Sequence, residues 1–457
     1  MTRRTRTHAT AGGLGGAVLL VLATVTAGAS TAGASSAGST PPGGGVVTDI
    51  SGVGDVTLTV WDQEVRGGQN EQMEQLNTAF SEKYPNVTIE RNSQSFDDLE
   101  TTLRLALTDT DAPDVVQANN GRNMMGQFVA TGLLRPLDDY AAAYGWTDRY
   151  SPTVLQYSTY SEDATIFGEG NLYGLPQVGE VVGVFYSKSK LAELGLEVPA
   201  NWPAFDEALA AAAGAGETPL LLGNIEQWPA LHVFGPVQGS YVDPTQITTL
   251  GLGNPGASWT TSENVEAAAA VQAWADAGFF NEGVNGTEYD AAWQALTAGD
   301  GVFLIGGSWL AADLSDAMGD DVGFFLPATD AGALASTGGT GLPFTVTSAA
   351  DDPDVAAAYI DFITNDEAMQ VLADTGNLPV NRTAEIAPES GVLADVFTVF
   401  ADVTENGSLL PYLDYATPTF ADTIGQALQE LLDGRTTPEE FLERLEADYS
   451  EFVASNE

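Results

Sequence analysis

Cysteine is absent from this chain of 457 residues, and histidine is nearly so, with only His8 and His232. Without a thiol there is no cysteine nucleophile, no disulfide and no cysteine for a bacterial lipid anchor. One histidine beyond the N-terminal segment excludes the common His/Cys zinc sites. A Ser-His-Asp triad could draw only on His232. Basic residues are also scarce, 15 against 63 acidic ones, for a formal net charge of −48. Such a surface repels nucleic acid and anionic lipid, so neither is an expected partner. A long hydrophobic run is missing too. The most apolar stretch, Ala17 to Val25 (AVLLVLATV), falls short of the roughly 18 apolar residues that suggest a membrane-spanning helix.

Cofactor and metal motifs do not fill these gaps. Gly251-Leu252-Gly253-Asn254-Pro255-Gly256 has dinucleotide spacing, but Pro255 and Trp259 stand where a phosphate-binding helix should begin. The acidic groups at 316–321 and 351–354 lack calcium-loop spacing and read as solvated turns. No cofactor, no metal site and no catalytic residue is expected.

What is present begins with an export signal. Arg3, Arg4 and Arg6 precede the short apolar run, and small-residue sites follow at Ala27-Gly28-Ala29 and Ala32-Gly33-Ala34. This pattern predicts a cleaved signal peptide over 1–34 and an extracellular or cell-envelope location. Residues 30–45 contain only Ser, Thr, Ala, Gly and Pro, and 35–54 is expected to be a disordered linker.

The remaining chain is longer than one core supports, so two lobes are expected. Val56, Leu58 and Val60 alternate with polar residues as a strand does. Met73, Leu76 and Phe80 recur at helical spacing before Pro85. Val87 and Ile89 alternate again, 98–107 reads as a helix, and Val115-Val116 reads as a short buried strand. This βαβαβ opening predicts an α/β fold with doubly wound sheets. Thr261-Ser262, Pro353, and Thr437-Pro438-Glu439-Glu440 mark further helix starts.

Trp61, Trp228 and Trp309 each stand where a strand or short segment gives way to a polar or glycine-rich loop. Open α/β sheets bind ligands at strand carboxyl ends. A tryptophan there can stack on the apolar face of a sugar while amides and carboxylates bind its hydroxyls. His232 lies in an apolar run and is expected to pack structurally.

Ordered landmarks carry a family resemblance. They include Val60-Trp61, Phe80-Ser81-Glu82-Lys83-Tyr84-Pro85, Ala112-Pro113-Asp114-Val115-Val116, Leu172-Tyr173-Gly174-Leu175-Pro176, Gly307-Ser308-Trp309 and Gly376-Asn377-Leu378-Pro379. The chain resembles the extracellular solute-binding proteins of ABC sugar importers, the family that includes maltose-binding protein, with a leaning towards binders of raffinose-type oligosaccharides. The resemblance implies a type II periplasmic-binding-protein fold, two doubly wound α/β lobes joined by hinge crossings. Lobe 1 would take 55–178 and 322–367, and lobe 2 would take 179–321 and 368–457. It further implies a monomer that binds a sugar or oligosaccharide and delivers it to membrane permease subunits. The implied ligand residues are Trp61, Asp62, Asn119, Asn120, Arg122, Glu180, Glu226, Trp228, Trp309 and Phe420, with Tyr415 as the alternative to Phe420. Two other functions stand as alternatives. One is a glycoside hydrolase with a carboxylate pair, which the composition does not exclude; the other is a receptor of this fold for an anion or metal, against which the few basic residues, the lone histidine and the tryptophans speak.

Overall fold

The computed structural model describes residues 45–456. Three strands open the chain: β1 (Val56–Asp62), β2 (Val87–Ser93) and β3 (Val115–Gln117). A ribbon of β4 (Thr159–Tyr160) and β5 (Asn171–Leu172) follows, then β6 (Gly174–Leu175). The next five are β7 (Gly179–Ser187), β8 (Leu220–Leu221), β9 (Phe303–Gly307), β10 (Val322–Phe325) and β11 (Ala335–Thr340). Last come β12 (Phe344–Val346) and β13 (Ser408–Leu410).

The first sheet has the order β2-β1-β3-β12-β6, and the second β13-β11-β7-β9-β8 with β10 also on β7. In the first, β1 runs parallel to β2 and β3, as the opening pattern predicts, while β12 is antiparallel to β3 and β6. The second is built on β7, buried along its whole length. Its Gly179–Val181 end pairs with β11 and its Val182–Tyr186 stretch with β9, both antiparallel.

The helices form where the periodicity and caps place them. The helix Gly67–Lys83 buries Met73, Leu76 and Phe80 and ends before Pro85. Gly68 in its first turn packs flush on a neighbouring segment; a Cβ there would come within 2.2 Å of the Thr375 carbonyl oxygen. Thr261 caps the helix Ser262–Asp276 by accepting from the Asn264 N–H. A proline opens each of the helices Pro353–Ile363 and Pro438–Asn456.

Three boundaries differ from those expected. The β10 segment joins the second sheet through β7, so the crossing expected at 322 lies between β11 and β12, at 341–343. Its Val-Gly-Phe-Phe sequence is apolar throughout, and such a strand suits either sheet until pairing selects one. Ala368, Met369, Leu372 and Val380 pack in the first sheet's core, and Val178 bridges Pro379, so the last crossing follows 380 and not 367. The linker expected to run to 54 is ordered at its end. Ile50 is fully buried, and Asn86 Nδ2 donates to the carbonyls of Ile50 and Val53. The predicted signal peptide, 1–34, lies outside the described residues.

Candidate ligand-binding site

A cavity of about 530 Å³ lies between the two sheets, lined from both. From the first come the loop after β1, the helix Phe96–Ala106 and the turn after β3. From the second come the start of β7, the segments before the helices Trp228–Tyr241 and Phe420–Leu432, and the loop after β9.

Glu180 sits at the start of β7 opposite Gly339. Tyr412 Oη donates to its Oε2 at 2.9 Å. Burial pushes its pKa up to about 7, and the nearby Glu64 charge adds to the shift. Asp414 is pushed to about 7 in the same way, by burial and then by Glu100.

One wall is aromatic. Trp228 opens its helix just after Gln227, whose φ of +71° is rare for a residue with a side chain. That turn sets the indole 4.4 Å from the Tyr289 ring and 5.4 Å from His232. Trp309 Nε1 donates to Tyr289 Oη at 2.8 Å. Its ring folds back over Gly307, where a Cβ would fall 1.9 Å from the indole. Only glycine allows this approach. Glu226 takes the Tyr289 N–H with both carboxylate oxygens at 3.2 Å, which anchors the helix carrying Tyr289.

His232 is buried, as expected, yet it also lines the cavity. Burial pushes its pKa down to about 3, so the ring is neutral at physiological pH. Its Nδ1 has no partner among the described residues.

Of the residues expected at the ligand, Asn119, Glu180, Glu226, Trp228 and Trp309 line the cavity, and so does Tyr415. The others do not. Trp61 is half-buried against the core. Asp62 is buried, with both oxygens held by Arg91 at 2.6 and 2.8 Å and Oδ1 also accepting from the Glu64 N–H; it closes the β1–β2 pair and does not line the cavity. Asn120 donates to the Tyr157 carbonyl and accepts from Tyr415. Phe420 is fully buried and stacks on Trp259, centroids 5.2 Å apart.

Arg122 is the sharpest departure. It opens a π-helical turn, Arg122–Gly126, in which Asn123 lines the cavity and Arg122 does not. The guanidinium is buried. It donates to the carbonyls of Leu252 and Ala164 and to Asn254 Oδ1, and it lies 4.8 Å from the Phe452 ring centroid. Since Leu252 and Asn254 belong to the second half, Arg122 ties the halves together outside the cavity. Arg122→Met is expected to lower unfolding free energy by about 1–3 kcal/mol, the cost of leaving buried carbonyls unpaired. Urea unfolding of the ligand-free protein measures this, and an unchanged transition contradicts the assignment.

Phe96, Glu100 and Arg104 line the cavity from one face of the helix Phe96–Ala106. Sequence reasoning passed over them, although their i, i+4, i+8 spacing, in a stripe adjoining buried Leu99 and Leu103, marks a common face. Tyr412 and Asp414 lie at a single 3-10 turn, Leu413–Tyr415, too short to carry a periodic signal.

A family model described as bacterial extracellular solute-binding protein matches residues 66–370. The chain is 27% identical over 187 residues to an uncharacterized ABC transporter extracellular-binding protein of Pyrococcus horikoshii, 39% of each chain. It is 25% identical over 215 residues to the multiple sugar-binding protein of Streptococcus mutans, 46% of this chain and 51% of that one. The chain thus spans about half or less of these curated relatives. A solved chitin oligosaccharide binding protein matches with a TM-score of 0.74 at 22% identity, over 88% of this chain and 99% of that one. At that identity the likeness is one of fold.

Proposed function

Because the chain belongs to the bacterial extracellular solute-binding protein family, we propose that it captures a sugar or oligosaccharide between its two halves and delivers it to the permease of an ABC importer. The family is one of binding proteins, not enzymes. No helix among the described residues is long and apolar enough to cross a membrane. The observation that carries the sugar reading is the make-up of the cavity. Trp228, Trp309 and Tyr415 supply flat apolar surface, while Asn119, Glu100 and Glu180 supply amide and carboxylate groups. A pyranose needs both, for its C–H face and for its hydroxyls. Because residues of both sheets line the cavity, a bound solute touches both, and contacts made only when the halves are together favour closure.

A thermal-shift panel of mono- and oligosaccharides tests the reading, with product analysis of each incubation. A raised melting temperature with intact ligand supports it, and no response to any carbohydrate refutes it.

Glu180 provides a pH test. Its ionised form accepts hydrogen bonds, and with a pKa near 7 that form is lost as pH falls through 7. Affinity for a neutral sugar is expected to fall by up to about fivefold from pH 7 to 6, because the ionised fraction of one group with a pKa of 7 drops from about one half to about one eleventh. Glu180→Gln is expected to weaken binding by about 1–3 kcal/mol at pH 8. It should also flatten much of the pH slope, the remainder coming from Asp414. A wild-type slope kept in full by the variant contradicts this role.

A further inference from the structure

The cavity is lined by six carboxylates, Asp97, Glu100, Glu180, Glu226, Asp414 and Asp422, against two cationic side chains, Arg66 and Arg104. Arg66 spends its charge elsewhere, 2.9 Å from Asp290 and 3.9 Å from Asp313, neither of which lines the cavity. Arg104 reaches one lining carboxylate, Glu100, at 3.6 Å. The rest of the negative charge is unmatched by any lining cation. On Asp97 burial acts first, then repulsion from Glu226 and Asp98, all in the same direction.

Charge alone does not define a ligand, and two further observations do. No three acidic or histidine side chains among the described residues converge closely enough to hold a metal ion, so the charge is spread along the wall. His232, only 8% exposed, lines the same cavity and leaves Nδ1 without a partner. A neutral imidazole nitrogen in that position suits a hydroxyl, while the carboxylates suit a cation. Aromatic faces beside them accommodate both a sugar ring and an ammonium group.

We propose that the solute is an amine-bearing sugar, with a protonated nitrogen held by the carboxylates around Asp97, Glu100 and Asp422 and ring hydroxyls held by His232 and Glu180. This rests on the sugar reading and narrows it. A neutral sugar leaves like charges facing one another in a site of reduced dielectric, whereas an ammonium group relieves that repulsion.

The test uses matched sets that differ at one position. Glucosamine, N-acetylglucosamine and glucose form one set, and the corresponding galactose compounds a second. The β-1,4-linked trimers bearing amine, acetamide or hydroxyl at C2 form a third. Calorimetry at pH 7 and low salt is expected to show the amine member of at least one set binding tenfold or more tighter than both partners. Raising salt to about 0.5 M should shrink that ratio, since mobile ions screen the charge. The double variant Asp97→Asn/Asp422→Asn should bring it below about threefold. Both aspartates sit at accessible positions in the cavity wall, so the fold is expected to tolerate the change. If hydroxyl or acetamide members bind as well as the amine, the proposal is overturned and the sugar reading stands. If no member of any set and no other carbohydrate binds, both fall.

Discussion

Phe420→Ala is expected to lower folding stability by about 3–5 kcal/mol, the usual cost of emptying a buried phenylalanine site. The affinity of the folded protein for its solute should stay within about twofold. Phe420 has no exposed surface and stacks at 26° on Trp259, itself fully buried. Trp259 is held in turn by its backbone N–H, which donates to Glu446 on the C-terminal helix. Truncating the ring therefore opens a cavity among three elements that cannot easily collapse. Denaturant unfolding with calorimetry on the folded variant measures both quantities. Near-normal stability with lost binding would return Phe420 to the ligand, as the family resemblance implies.

Trp309→Ala is expected to show the opposite pattern, with binding weakened by about 2 kcal/mol or more, roughly 30-fold. Ligand-free stability should fall by much less than in the Phe420 variant. The indole is half-buried in the cavity wall, pinned by its bond to Tyr289 Oη and by contact with the Trp228 and His232 rings. A side chain held in place before binding loses little conformational freedom on contact, so most of its stacking energy is available to the complex. Trp309→Phe keeps an aromatic face but loses the bond to Tyr289, and it should recover most of the lost affinity. A strong fall in melting temperature with normal affinity in the alanine variant would show Trp309 to be core.

These two residues show how far the sequence reaches. Both are aromatics placed at the ligand by resemblance, and both stand beside a helix start. Trp309 follows two glycines and a serine, small residues that let the backbone approach the cleft, and the ring lies over the bare backbone of Gly307. No such run precedes Phe420. The helix it opens could present that side to the cavity or to the core, and the packing of Trp259 decides. Tyr415, five positions earlier, reaches the cavity in its place.

Asp62 and Arg122 carry the same lesson for charge. Each has the residue type and chain position of a ligand contact. Asp62 is claimed by Arg91 on the adjacent strand, and Arg122 by carbonyls far along the chain. A carboxylate or guanidinium takes the partner that repays its desolvation, and that partner is known only once the strands and loops are assembled.

By itself the sequence determined the α/β class, the helix starts at Thr261, Pro353 and Pro438, the exclusion of thiol and zinc chemistry, and the aromatic settings of Trp228 and Trp309. All of these follow from periodicity, capping or composition, which act within a few residues. Tertiary structure alone decided that β10 joins β7, where the second and third crossings fall, and which acids crowd into one cavity. A strand such as Val322–Phe325 is apolar on both faces and carries no mark of its partner, and the carboxylates at 97, 226, 414 and 422 are ordinary surface residues until folding sets them around one space. The burial of a periodic apolar stripe can be read locally because it depends on the residues' own chemistry; the identity of a residue's neighbours cannot, because it depends on chain segments hundreds of residues apart.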